Sequence, residues 1–519
     1  TIAHGNIRVA VMAALTYASE EALEGADIYD LYDSYLANAL SPYSEKEIEI
    51  AETLSIYEYC DLEDADPCYC DLRNCGMIRC EIHNALNMLN DREIVSTTTS
   101  RNGIFAARIE EQLLRDYFTC RYFFKKRKKA LNRFILESLD GGMHTHEKIV
   151  RNLEEVFESD EMRDYLRSEI RIAWQEMTRF SKEEKRRFLR CFYHLVPEEA
   201  LSFVAQDVAD ASSADISESL FDAKTGIDHS LESGILVTCS DIPQLRDRAW
   251  SLIVQAVAKG FGGAGLWRSV LGGYGAFGIR AIEDDFSFER AKMGGLIQAY
   301  EETCSPNIAG ALLTLAGAMI ECRPERPIKN ASGQLAFVWP LKPTEGLARL
   351  LSSCVKGLSM LLGSSCGENA RRAFRQLFNA EGYRARLLDV RTLAEVIESV
   401  QPLVPAFLSS HSISNYRCWK SMQSIRGTTA LALPPLPLSF PSALRKAAEL
   451  KDVQDRFAVE VEIIDLSAWA QNDIRDVLAF LLEDARNGED GYLSEMAMAS
   501  VLTSLAEQLP IEEAHNLIE

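Results

Sequence analysis

Between Cys68 and Arg108 the chain changes its hydrophobic period within a few residues, and that change limits the folds open to it more than any other feature. Residues 67–74 are compatible with a short helix, and Cys75 and Gly76 supply a turn. Ile78, Ile82, Ala85, Leu86 and Leu89 then recur at helical spacing and share one face. Residues 94–99 are β-branched almost throughout, Arg101-Asn102-Gly103 is a turn signal, and 104–109 can return as a second strand. Asn-Gly between two such runs favours a tight hairpin, because the preferred turn needs positive φ at its centre. Two helices, a glycine turn and a hairpin are therefore predicted over 67–109.

This order resembles the winged-helix superfamily over roughly residues 65–110, with 7–17 as its first helix. The resemblance implies a third helix that enters the major groove and a wing that touches the DNA backbone. Carried over by position, the outward residues are Arg79, His83, Asn84 and Asn87 on the helix and Thr99, Arg101 and Asn102 at the wing. Such a likeness implies a fold and leaves the function open, since winged helices also dock proteins. An acidic insertion over 20–66 departs from the minimal pattern. It carries two predicted helices, 27–40 and 44–59, the second opening on a Ser44/Glu47 capping box.

From residue 110 onward the pattern is helical. One long helix is predicted from Leu113 through the basic run to Gly141-Gly142, followed by helices over 145–157 and 161–180 and a fourth that opens on a Ser181/Glu184 capping box and stops before Pro197. Residues 308–320 are apolar but too short for the roughly 20 residues a bilayer crossing needs, so they read as a buried core helix and no membrane insertion is expected. Residues 331–345 read as a connection. The prolines of 431–441 exclude a helix interior there. The expected fold is mainly α: an N-terminal winged helix-turn-helix with a small hairpin wing, then a multi-helix bundle or α-solenoid-like body. The expected domains are 1–112, 113–200, 201–430 and 431–519. An N-terminal winged helix followed by long helices also resembles, in the order of its elements, the bacterial kleisin subunits of chromosome-organising complexes.

With 47% apolar and 25% charged residues the chain can bury a core. Its formal net charge of −22 opposes coating of DNA, RNA or an anionic membrane, so any such contact must be local. Thirteen cysteines scattered over 519 residues, with no basic leader and no clear cleavage site at the start, fit a reducing, cytoplasmic setting.

Five cysteines, Cys60, Cys68, Cys70, Cys75 and Cys80, crowd together with His83. Thiolates and imidazole are zinc ligands, but the spacing is not the paired C-x2-C of a zinc knuckle. Packed free cysteines with no cofactor are expected; a structural zinc on Cys68, Cys70, Cys75 and Cys80 is the alternative. GFGGAG at 260–265 matches a dinucleotide fingerprint, which needs a preceding strand; 246–259 read as a helix, so a tight turn is expected. Ser365 with Cys366 and Ser410 with His411 lack the distant partners of a catalytic triad, and His144 and His146 are expected at the surface. The run from Arg121 to Arg133, with Lys125, Lys126, Arg127, Lys128 and Lys129, is a solvated helix face, a phosphate contact, or a contact to the acidic insertion of a neighbouring molecule.

Residues 1–112 hold seven Lys or Arg against twenty-one Asp or Glu, a balance of −14. Phosphate contacts supply most of the affinity of ordinary DNA-binding domains, so this field favours protein docking over DNA reading. The expected function is a non-catalytic assembly or adaptor subunit that binds other protein subunits. A DNA-binding regulator that uses the winged helix and the basic run is the first alternative, and an enzyme with a site assembled from distant segments the second.

Overall fold

The computed structural model describes residues 29, 32–34, 43–57, 59–63, 66–99, 105–137, 139, 143–156, 159–217, 220, 230–274, 276–277, 279–320, 323–324, 328–329, 335–337, 344–364, 366–378, 411–425, 440–457, 463–467, 469–487, 491–510, 512 and 514–515. It is mainly helical, and its contacts divide it into two compact units, Thr1–Ser202 and Phe203–Glu519.

In the first unit, α1 (Glu45–Ser55) starts at the predicted capping box. The Ser44 hydroxyl accepts from the Glu47 amide at 3.3 Å, and the Glu47 carboxylate accepts from the Ser44 amide at 2.6 Å. A two-residue strand, β1 (Cys60–Asp61), leads into α2 (Pro67–Asn74), α3 (Arg79–Asp91), β2 (Ser96–Thr99) and β3 (Phe105–Arg108). The hairpin forms with Thr97 opposite Ala107 and Thr99 opposite Phe105; its tip, with Arg101 and Asn102, lies outside the described residues. β1 was not legible in the sequence. It pairs antiparallel with β3, Cys60 opposite Ala107, so β3 is the central strand of three. α1 packs on α2, α3 and β3, so the helix expected inside an insertion is a structural partner of the helix pair. The expected first helix at 7–17 lies outside the described residues.

The long helix predicted from Leu113 to the glycine pair is instead broken. α4 (Gln112–Cys120) passes into a π-helical turn at Arg121–Lys125, Arg127 adopts φ +48°, and helical structure resumes only at α5 (Leu131–Glu137). Arg121, Lys126 and Lys128 all reach Glu52, yet on a straight α-helix a residue five positions after Arg121 would point roughly 140° away from it. Widening the turn and reversing the chain at Arg127 brings all three to Glu52. The unit continues with α6 (Met143–Val156), α7 (Asp160–Glu176), α8 (Lys182–Phe192) and α9 (Pro197–Asp210), in which the boundary between the units falls. α8 has the predicted capping box, with the Ser181 amide 2.7 Å from Glu184 Oε2. His144 is exposed as expected, but His146 is buried on α6. Its ring stands edge-on to Phe134, because position 146 shares the inward face with Ile149, Val150 and Leu153.

The second unit comprises α10 (Leu231–Asp241), α11 (Arg246–Lys259), α12 (Gly263–Tyr274), β4 (Ala276–Phe277), α13 (Ile279–Glu283), α14 (Ser287–Thr303), α15 (Pro306–Ile320), β5 (Arg323–Pro324), β6 (Ile328–Lys329), β7 (Leu335–Phe337), α16 (Glu345–Leu361), α17 (Gly367–Phe378), α18 (Ile413–Ile425), α19 (Ser442–Phe457), α20 (Gln471–Asn487) and α21 (Gly491–Gln508). α15 is the core helix foreseen from its apolar run. It packs against α11, α12, α14, α16 and α17, and Ile308, Leu312, Leu315 and Met319 are wholly buried. Burying each such side chain contributes about 1.5–3 kcal/mol. β7 pairs with β6, so the stretch expected as a plain connection holds one strand of a pair. No helix among the described residues is long and apolar enough to cross a membrane.

Candidate functional site

α2 and α3 are set by their ends. The Asp66 carboxylate accepts from the Tyr69 amide at 2.8 Å and Pro67 occupies the first helical position, which starts α2. Gly76 at φ +85° turns the chain, and the Glu81 carboxylate accepts from the Ile78 amide at 3.3 Å at the start of α3. Ile82, Leu86 and Leu89 of α3 are buried, as their spacing predicts. Asn90 Oδ1 accepts from both the amide and the hydroxyl of Thr97, at 2.9 and 3.0 Å, which locks the end of α3 to β2.

The outward face of α3 carries Arg79, Cys80, Asn84 and Met88, all exposed, with Asn87 half-buried beside them. His83 does not point freely outward. Its ring packs edge-on against Phe105 of β3 at 4.6 Å, which joins the helix to the hairpin. Thr99 is exposed at the end of β2. Ile78, expected on the apolar stripe with Ile82, instead precedes α3 in extended conformation and is 59% exposed, so it leaves the buried face; Met88 is 46% exposed.

The basic run is folded back over α1 and α2. Arg121 Nε lies 2.9 Å from Glu52 Oε1 and its Nη1 3.2 Å from Asp33. Lys126 reaches Glu52 at 2.8 Å, Lys128 reaches Glu49 and Glu52 at 3.0 Å each, and Lys129 reaches Asp71 at 3.1 Å and Glu137 at 2.8 Å. Lys125 sits over the Tyr29 ring, 4.3 Å from its centroid. Burial by itself would raise the Glu52 carboxyl; hydrogen bonds and charge from Lys126, Lys128 and Arg121 outweigh it and hold the group below the usual carboxylate range. Arg127 makes no ion pair among the described residues and lines a 560 Å³ cleft with Phe123, Phe124, Tyr165 and Ser168.

The cysteines separate. Cys75 and Cys80 are exposed, Cys70 is half-buried, and Cys60 and Cys68 are buried. Of the four cysteines of the alternative zinc reading, only Cys68 belongs to a group of potential ligands within mutual reach among the described residues. Among the described residues that group is Cys60, Asp66 and Cys68, whose ligand atoms lie within 4.8 Å of one another. Burial, then the neighbouring Cys60, then Asp66 and Asp71, push the Cys68 thiol up. Asp66 escaped the sequence reading because a carboxylate at a helix start reads first as a cap.

The glycine-rich segment follows a helix, α11, and not a strand. Gly260, Gly262 and Gly263 all take positive φ in the turn to α12, the geometry of a helix end and not of a phosphate loop. Cys366 is buried and His411 stands edge-on to Phe440 at 5.3 Å; Ser365 and Ser410 lie outside the described residues.

The sequence matches no protein-family model, and no curated protein and no solved structure is similar to it.

Proposed function

We propose that this chain is a non-catalytic assembly or adaptor subunit of a larger complex, and that residues 45–108 are a winged helix whose outward helix docks protein. The order α1–β1–α2–α3–β2–β3, with β3 between β1 and β2, supports the winged-helix reading. The observation that carries the docking reading is the fate of the basic run: Arg121, Lys126, Lys128 and Lys129 are engaged by Asp33, Glu49, Glu52, Asp71 and Glu137 of the same unit. Charge neutralised at home does not release counterions from phosphate, so the main source of DNA affinity is missing from this surface. Ile78 and Met88 offer what a protein partner uses instead, exposed apolar side chains on a rigid helix, beside the hydrogen-bonding amide of Asn84.

A second reading, duplex-DNA binding, draws on Arg79, Asn84 and Asn87 on the outer side of α3 and on Arg127, which makes no ion pair among the described residues. Two measurements separate the readings. Purified full chain titrated with labelled duplex DNA at falling salt is expected to give no shift. Affinity capture from the native cell is expected to recover a discrete set of proteins that Ile78→Asp/Met88→Asp loses. DNA binding that Arg79→Ala removes would overturn the docking reading, and so would a double variant that recovers the same proteins as the wild type.

A further inference from the structure

We infer that Cys60, Asp66 and Cys68 form a binding site for a thiolate-seeking divalent cation of the zinc type. The site does not depend on the docking reading; it stands on where two elements, β1 and the start of α2, bring their ends. Cys60 is fixed on β1 by its register opposite Ala107, Asp66 is fixed as the N-terminal cap of α2, and Cys68 is the second residue of that helix. Their sulfur and oxygen atoms already lie within 4.8 Å of one another. Zinc takes thiolate at about 2.3 Å and carboxylate at about 2.0–2.2 Å, so tetrahedral ligands stand roughly 3.5–3.8 Å apart. Closing this set on an ion needs movements of less than about 1 Å per ligand atom.

The donor set also selects the ion. Two sulfurs favour zinc, cobalt or cadmium over magnesium or calcium, which want oxygen alone. Cys60 and Cys68 are wholly buried, which shields the metal–sulfur bonds, while the half-buried Asp66 gives the ion its way in. Asp66 Oδ1 accepts from the Tyr69 amide, and a carboxylate so held presents its other oxygen in a fixed direction. Three protein ligands leave a fourth position for water. A bound ion would fasten β1 to the start of α2, and through β1 the sheet to the helix pair. The C-x5-D-x-C spacing differs from a knuckle because one ligand comes from a strand and two from a helix start.

The test uses full-length, metal-free protein under a reductant that does not bind metal. Titration with Co²⁺ is expected to produce thiolate-to-cobalt charge-transfer absorption that saturates near one equivalent and is bleached by Zn²⁺. Cys60→Ser/Cys68→Ser is expected to lose the band, and Cys80→Ser, on the exposed face, to keep it. Asp66→Ser retains a good helix cap but removes the carboxylate, so the fold survives by circular dichroism. Its affinity is expected to fall by more than the roughly 10–100-fold that losing an outer-shell partner costs. Folded wild-type protein without the band overturns the inference with no variant needed. A band that survives Cys60→Ser/Cys68→Ser, or one lost in Cys80→Ser, also overturns it.

Discussion

The Lys126 ammonium lies 2.8 Å from Oε1 of Glu52, a carboxylate with no exposed surface. Arg121 and Lys128 reach the same group, so one buried acid on α1 organises three cations from a single basic segment. A buried charge is tolerated only when it is paired, and the cost of removing one partner is larger than the net worth of the pair. Glu52 is therefore the residue on which the path of the chain from Arg121 to Ala130 depends.

Replacing Glu52 by Gln leaves three cations converging on a neutral amide. The expected loss is about 2–3 kcal/mol, below the ~3–5 for a fully buried pair because Lys126 and Arg121 reach water. Chemical denaturation of the first unit's signal measures it. The carboxyl is held below its ordinary value of 4.5, so the stability it contributes is present above that pH and is lost as pH falls through the folded value. Glu52→Gln is expected to flatten the acid limb of the stability curve.

His146 has the same dependence at a higher pH. Burial lowers its pKa from 6.5 to about 4, and Nδ1 has no hydrogen-bond partner among the described residues. The unfolded chain takes up a proton below 6.5 that the folded one refuses until about 4. Stability is therefore complete above 6.5 and declines between 6.5 and 4, by up to about 3 kcal/mol. His146→Leu is expected to remove this slope, as read by thermal unfolding across that interval.

Gly260 is a closely enclosed backbone position in the second unit. A Cβ there would stand 2.1 Å from the Ala214 carbonyl oxygen, and φ is already +68°. Gly260→Ala is expected to cost at least about 2 kcal/mol. Asn307 closes the same knot: its amide donates to Ala214 O at 2.8 Å and its oxygen accepts from the Ile216 amide at 2.8 Å. Asn307→Ala strands both groups and is expected to cost about 2–3 kcal/mol. Limited proteolysis of both variants should show earlier cleavage near residues 211–217.

Ile78→Asp and Met88→Asp behave differently from all of these. Both side chains face solvent, so each change is expected to move stability by less than about 0.5 kcal/mol while partner capture is lost. Equilibrium unfolding of the double variant checks the first half and affinity capture the second.

Local signals were legible where they act locally. The Ser44/Glu47 and Ser181/Glu184 boxes, the burial of Ile82, Leu86 and Leu89 on α3, the pairing of 96–99 with 105–108 and the burial of α15 all follow from residues a few positions apart. The break after Cys120 was not legible, because its causes, Glu49, Glu52 and Asp71, lie some fifty to eighty residues earlier on other helices. His146 was misplaced for a different reason: its spacing with Ile149, Val150 and Leu153 marks the inward face of α6, a signal that His-Thr-His taken by itself does not carry. Of the residues proposed for DNA, Arg79 and Asn84 are where position placed them, whereas Lys126, Lys128 and Lys129 turn toward acids and His83 toward Phe105.

The docking face is tested most directly by a photo-crosslinking amino acid placed at Asn84 in the full chain and irradiated in the native cell. The expected product is a discrete protein adduct that nuclease leaves unchanged and that Ile78→Asp abolishes. An adduct that nuclease digests, or no adduct at all, would contradict the account.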